Sequence, residues 1–183
     1  LVQTYTGRDP SPAVFKVNVY TNKFEKVVAA QHEIDSWTAD EHGIVRFGLS
    51  NEYERDKGEN KLSFYYRADP NKDEWTLVYE KYSGEGAIFT PVAISDGGKS
   101  LIVLTDEGTY RMHLKKFDLE SKSFQEIVYQ VEGYEVDDAV VRNGRLVGAE
   151  YTDHFTKIKY FDEDLNNLQA KLKRSFPGFQ SYI

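Results

Sequence analysis

The 183-residue chain has no cysteine, so disulfides and thiolate metal sites are excluded. A cysteine-free chain works in either redox setting, and the cytoplasm and the periplasm both stay open. It has no run of about 18 apolar residues, which excludes a membrane-spanning helix. It has no basic stripe: 23 Lys and Arg face 30 Asp and Glu, for a net charge of −7. Phosphate neutralisation needs clustered cations, so nucleic acid is disfavoured as a partner. The first residues, Leu1-Val2-Gln3-Thr4-Tyr5, carry neither an initiator Met nor a signal peptide and read as the interior of a longer polypeptide. Aromatic residues are plentiful, at 14% with 13 Tyr and 11 Phe, which suits strands. The length is enough for one domain with a real core.

The stretch from Phe89 to Tyr129 organises the rest. Four strand-length runs are visible: Phe89 to Ser95, Lys99 to Thr105, Tyr110 to Asp118, and Ser123 to Tyr129. Asp96-Gly97-Gly98 joins the first pair, a tight-turn sequence in which glycine supplies positive φ at little steric cost. Leu119-Glu120-Ser121-Lys122 joins the last pair. Four antiparallel strands in about 40 residues are the size of one propeller blade.

The unit recurs. An Asp or Asn, five residues, then a large apolar residue occurs as Asn18…Phe24, Asp69…Trp75, Asp118…Phe124 and Asp162…Leu168, the first residues being 51, 49 and 44 positions apart. Aspartate suits a strand end because its side chain can cap the amides of the turn. A second turn recurs between these, as Asp40-Glu41-His42-Gly43, Asp96-Gly97-Gly98 and Asn143-Gly144, each followed by a strand signal. Two interleaved turn signals with a period of about 45 to 50 residues predict blades.

Taken in order, Leu1 to Pro12 reads as a loop with Gly7, Pro10 and Pro12 as breakers. Ala13 to Tyr20 and Phe24 to Ala30 make the first outer hairpin, so the chain is expected to begin half-way through a blade. Ile34 to Thr38 and Ile44 to Leu49 make the next inner hairpin, Asn51 to Asn60 a charged loop, and Lys61 to Ala68 with Glu74 to Tyr82 the second outer hairpin. Val136 to Arg142 and Arg145 to Tyr151 make the third inner hairpin, followed by a strand at Thr156 to Phe161. The period then changes. Leu165, Leu168, Leu172 and Phe176 fall at helical spacing, with acids at the start, Lys171, Lys173 and Arg174 at the end, and Pro177-Gly178 as a stop. The expected architecture is all-β: a single partial β-propeller over 1–183, with about three four-stranded antiparallel blades and a short helix near Leu165–Phe176.

The wording of several runs resembles bacterial members of the prolyl oligopeptidase family, the dipeptidyl- or acylaminoacyl-peptidase-like serine peptidases. The runs are W-T-A-D-E-H-G-I-V-R-F-G (Trp37 to Gly48), F-Y-Y-R-A-D (Phe64 to Asp69), R-L-V-G-A-E-Y (Arg145 to Tyr151) and K-Y-F-D-E-D-L-N-N-L-Q-A-K-L-K-R-S-F-P-G (Lys159 to Gly178). The resemblance implies a propeller that precedes an α/β-hydrolase domain, covers its active site and helps select peptides. The sequence departs from that family in lacking a G-x-S-x-G nucleophile elbow and any βαβ alternation. The expectation is therefore a non-catalytic propeller fragment. Its partners would be the missing C-terminal α/β-hydrolase domain and the peptide substrate of the parent, with no catalytic residue, cofactor or metal of its own.

Candidate sites weigh little. Asp69-x-Asn71-x-Asp73 with Glu80 imitates a calcium loop, but its sixth place is Glu74, not Gly; Asp162-x-Asp164-x-Asn166 has Lys173 at its twelfth place. His32, His42, His113 and His154 have no metal-ligand spacing. Asp137 and Asp138 face opposite ways on a strand and cannot share a proton readily. Glu150, Asp153 and His154 lie in a hairpin connection where they could touch a peptide in a central channel. Trp75 and the Tyr65-Tyr66 pair are expected to pack between blades. Two other readings stand beside the peptidase one: a stand-alone propeller that binds a protein or glycan, and a β-sandwich enzyme or lectin that mimics the period. With fewer blades than a closed ring needs, exposed blade edges are expected to favour a homo-oligomer.

Overall fold

A computed structural model describes residues 1–7, 9–31, 33–179 and 183. His32, one of the four candidate histidines, lies outside the described residues. The chain divides into two compact units, Leu1–Gly86 and Ala87–Ile183. The protein is a partial, all-β propeller built from antiparallel meander sheets with one short C-terminal helix.

In the first unit, β1 (Val2–Tyr5), β2 (Pro12–Asn18) and β3 (Lys23–Val28) form a sheet in that order. The expectation of a loop before Pro12 is thus corrected: Val2 to Tyr5 pairs antiparallel with Pro12 to Phe15. Pro12 is no breaker there, because it stands as the first residue of β2, where proline is tolerated. The second sheet runs β4 (Ser36–Ala39), β5 (Val45–Glu54), β6 (Glu59–Tyr66) and β7 (Thr76–Tyr82). Here too a predicted loop shrinks. Asn51 to Glu54 continues β5, Glu59 and Asn60 open β6, and only Arg55 to Gly58 turns the chain. The charges misled because these residues project into water on a pairing that main-chain hydrogen bonds sustain.

Val14, Val28 and Val45 form the buried heart of this unit, with Trp37 and Trp75 packed against them. The two indoles lie 4.8 Å apart, and the Trp37 indole N–H donates to the Pro12 carbonyl at 2.7 Å. Each such buried side chain contributes about 1.5–3 kcal/mol. Trp37 faces Gly48 across the β4–β5 ladder. A Cβ on Gly48 would stand 3.0 Å from the Trp37 ring and 3.2 Å from Ile34, so any larger residue there requires these side chains to give way by a few tenths of an ångström.

Charged groups lock the same unit. Arg67 is 6% exposed. Its guanidinium donates to the Val45 carbonyl from Nε at 3.2 Å and Nη2 at 2.7 Å, and lies 5.0 Å over the Trp75 ring. Asp40, in the β4–β5 turn, accepts from the amides of His42 and Ile44, both at 2.9 Å, and from Arg46 Nε at 2.8 Å. Burial pushes the Asp40 carboxyl up, but the Arg46 hydrogen bond and the two amides outweigh it and hold the group below its ordinary value. A carboxyl lowered on folding adds stability above its unfolded value, and that stability is lost as pH falls through the folded value. Unfolding followed by tryptophan emission should therefore show this unit weakening below about pH 4. Asp40→Asn should flatten that acid limb while lowering stability at pH 7; an unchanged limb would count against the assignment.

In the second unit, β8 (Thr90–Ser95), β9 (Ser100–Thr105), β10 (His113–Asp118) and β11 (Ser123–Tyr129) form a four-stranded meander. β9, S-L-I-V-L-T, is buried along its whole length. β12 (Asp138–Arg142), β13 (Arg145–Asp153) and β14 (Phe155–Tyr160) form a three-stranded one. Ala93, Ile102, Leu104, Leu114, Val136 and Ala149 make the core that joins these two sheets. Phe89, Phe117 and Phe124 pack edge to face, with centroids 5.0 to 5.9 Å apart. Helix α1 (Glu163–Ser175) follows β14 directly, with Phe176 as its C-cap, and none of its residues is buried.

The recurring Asp or Asn plays one physical role in all four places. The Asn18 side chain accepts from the amides of Tyr20 and Thr21 at 3.0 and 3.1 Å. Asp69 accepts from Asn71 N at 3.0 Å, and Asp118 from Ser121 N at 2.7 Å. Asp162 accepts from Leu165 N at 3.0 Å as the N-cap of α1. Asn18 and Asp118 end their strands in four-residue turns, whereas Asp69 sits within the longer 67–75 connection, so the hairpin there is looser than its spacing predicts. Asn143-Gly144, with φ of 49° and 74°, turns β12 into β13 through the left-handed conformation that a two-residue hairpin requires.

Candidate functional site

The Ala87–Ile183 unit carries a cavity of about 620 Å³ between two connections, 106–112 before β10 and 130–137 before β12. That volume is in the range of small-ligand sites. Tyr110, Arg111, Met112 and His113 line one wall, and Gln130, Val131, Glu132 and Tyr134 the other.

The first wall is clamped by its own side chains. The Thr109 hydroxyl donates to the Arg111 carbonyl at 2.7 Å and accepts from the Arg111 amide at 3.2 Å. His113 Nδ1 lies 3.0 Å from the same carbonyl, which can only accept, so Nδ1 carries a proton. His113 is 2% exposed, and its Nε2 has no hydrogen-bond partner among the described residues. Asp106 accepts from the Ile88 amide at 2.7 Å, and Lys115 pairs with Glu107. This clamp is why β10 starts at His113 and not at Tyr110 as the pattern predicts: Thr109 to Arg111 satisfy one another instead of a neighbouring strand. The second wall is closed by the Val131–Tyr134 bridge, and the Val136 amide donates to the Met112 carbonyl at 2.9 Å, tying one wall to the other.

The residues singled out in sequence fall at different distances from this cavity. Asp153, at the end of β13, accepts from Lys157 Nζ at 2.6 Å. That bond, and then a second from the Tyr134 hydroxyl, hold the Asp153 carboxyl below its ordinary value, while the Asp153 bond pushes the Tyr134 phenol up. Asp153 thus supports a wall residue without lining the space. His154 occupies the β13–β14 turn with φ of 55° and an 88% exposed side chain, 3.8 Å from Asp153. Glu150 lies within the ladder, opposite Asp138 and Ile158. The three are not one cluster.

Asp137 accepts from the Thr152 hydroxyl at 2.7 Å, whereas Asp138 accepts from the Ala139 amide, also at 2.7 Å. Asp69 is engaged by the amide and side chain of Asn71, and Asp73 by Gln31 and Trp75 at 3.1 and 3.0 Å. Among the described residues no group of three or more His, Cys, Asp or Glu is placed to hold a metal ion. Sequence reasoning missed the cavity because its walls are two connections 20 residues apart whose meeting depends on register. The run T-Y-R-M-H held the one usable signal, a Thr and a His flanking an Arg at i−2 and i+2.

No family model matches the chain, and no curated protein is significantly similar to it.

Proposed function

We propose that these sheets are the propeller portion of a serine peptidase resembling the prolyl oligopeptidase family, a non-catalytic part that governs which peptides reach a hydrolase active site outside residues 1–183. The reading is supported by the repeated meander whose connection into its final element holds Asn18, Asp69, Asp118 or Asp162, together with the family-like runs at Trp37–Gly48 and Arg145–Tyr151. Treating the parent protein with a fluorophosphonate probe tests it. A labelled serine should map outside this chain, and removing the sheets should let larger substrates be cut. A parent with no reactive serine overturns the proposal.

A second reading, a stand-alone propeller that binds a protein or glycan, is favoured by the cavity with clamped walls at 106–137. A parent composed only of further sheets selects it.

A further inference from the structure

The geometry points to the 109–134 cavity as a binding site for a short peptide bearing a carboxylate, with Arg111 as the group that receives the negative charge. The inference goes beyond the peptidase reading and holds under either function above, because it concerns what this unit binds by itself.

Four observations carry it. The cavity has the volume of a small-ligand site and is lined by both polar and apolar groups. Its walls are fixed in advance: Thr109 and His113 pin the backbone of residue 111 from both sides, and Val136 joins the walls. A site whose loops are already ordered loses less entropy on binding. Arg111 is exposed and stands within 4.0 Å of no carboxylate among the described residues, although Glu132 lines the facing wall. A guanidinium fork without a counter-ion offers two parallel N–H donors to a carboxylate. Finally, the Tyr110 ring is fully exposed and the Tyr134 ring is partly so, which gives two aromatic surfaces beside the charge. Rings of this kind stack on amide planes and apolar side chains at small entropic cost. The free cation favours an anionic peptide over a neutral glycan, which would use the tyrosines but leave Arg111 without a charge to meet.

Thr109 and His113 are positioning residues in this scheme. Both line the cavity, and their hydrogen bonds to the backbone of residue 111 set where Arg111 stands.

The test is fluorescence anisotropy on the full chain with two N-terminally labelled probes, Ala-Phe-Ala-Glu as the free acid and Ala-Phe-Ala-Gln as the C-terminal amide. The acid should bind at least tenfold more tightly, and the preference should shrink as salt is raised. Arg111→Gln should abolish the preference, and Tyr110→Ala should weaken both probes several-fold without altering their ratio. Both side chains are exposed, so near-ultraviolet circular dichroism should stay unchanged and separate lost binding from lost folding. Thr109→Val should reduce the acid preference while leaving the amide's affinity in place. Equal affinity for the two probes, no binding of either, or an Arg111→Gln variant that keeps the preference overturns the inference. So does binding of a neutral oligosaccharide in place of the acid. The fluorophosphonate result bears on the peptidase reading alone, so either idea can fail without the other.

Discussion

Phe117→Ala should destabilise the Ala87–Ile183 unit by about 3–5 kcal/mol, the range for removing a fully buried aromatic side chain. Phe117 has no exposed surface and meets both Phe89 and Phe124 edge to face, at 5.0 and 5.4 Å. Edge-to-face pairs add about 0.5–1.5 kcal/mol beyond the area they bury. The hole cannot close easily, because Phe117 lies in the middle of its sheet, on β10, paired with β9 on one side and β11 on the other. Urea unfolding followed by circular dichroism is the measurement. Trp37 and Trp75 both belong to the other unit, so tryptophan emission reports that unit separately. A circular dichroism midpoint unmoved by the substitution would show that the three rings are not the anchor they are taken for. Phe117→Leu, which keeps most of the volume, should recover more than half of the loss.

Gly148→Val should cost about 3 kcal/mol, by crowding instead of by emptiness. Gly148 lies in β13 opposite Tyr160. A Cβ there would stand 2.7 Å from the Lys159 carbonyl oxygen and 3.3 Å from Tyr160 Cα. Both are main-chain atoms of the paired strand, so relief requires the β13–β14 ladder to open and not a side chain to swing. Gly148→Ala should already show much of the effect, since the first carbon makes the clash. Hydrogen exchange should show the loss of protection concentrated on β14 amides. A stable Gly148→Ala variant with full protection there would sink the prediction.

These positions also show how far the sequence could be read. Turns were legible wherever the turn chemistry is local: Asp96-Gly97-Gly98, Asn143-Gly144 and the four Asx positions need only their own amides. Strand existence was legible from short apolar runs, and β11 matches its expected bounds because polar turns flank both ends. Helix α1 was legible through its charge distribution and spacing, although none of its leucines is buried. The lapses share one cause. Val2 to Tyr5 and Asn51 to Glu54 carry little apolar pattern, and their strand state comes from main-chain pairing with β2 and β6. The importance of Gly48 and Gly148 could not be seen without the partner strand. Both stand in the runs that carry the family resemblance, and in each the coordinates supply a steric reason for glycine. The cavity was invisible for the same reason, since Arg111 acquires its meaning from Tyr134 on another connection.

The aspartate at the strand's end has a consequence for how such a repeat can vary. Its carboxylate satisfies the next free amides whether the following residues fold back as an extended segment, as after Asp118, or coil, as after Asp162. The joint is therefore indifferent to what it joins. The final piece of each module can be exchanged, coil for ribbon, without revising the three ribbons before it, and the residues beyond the joint alone decide which is formed.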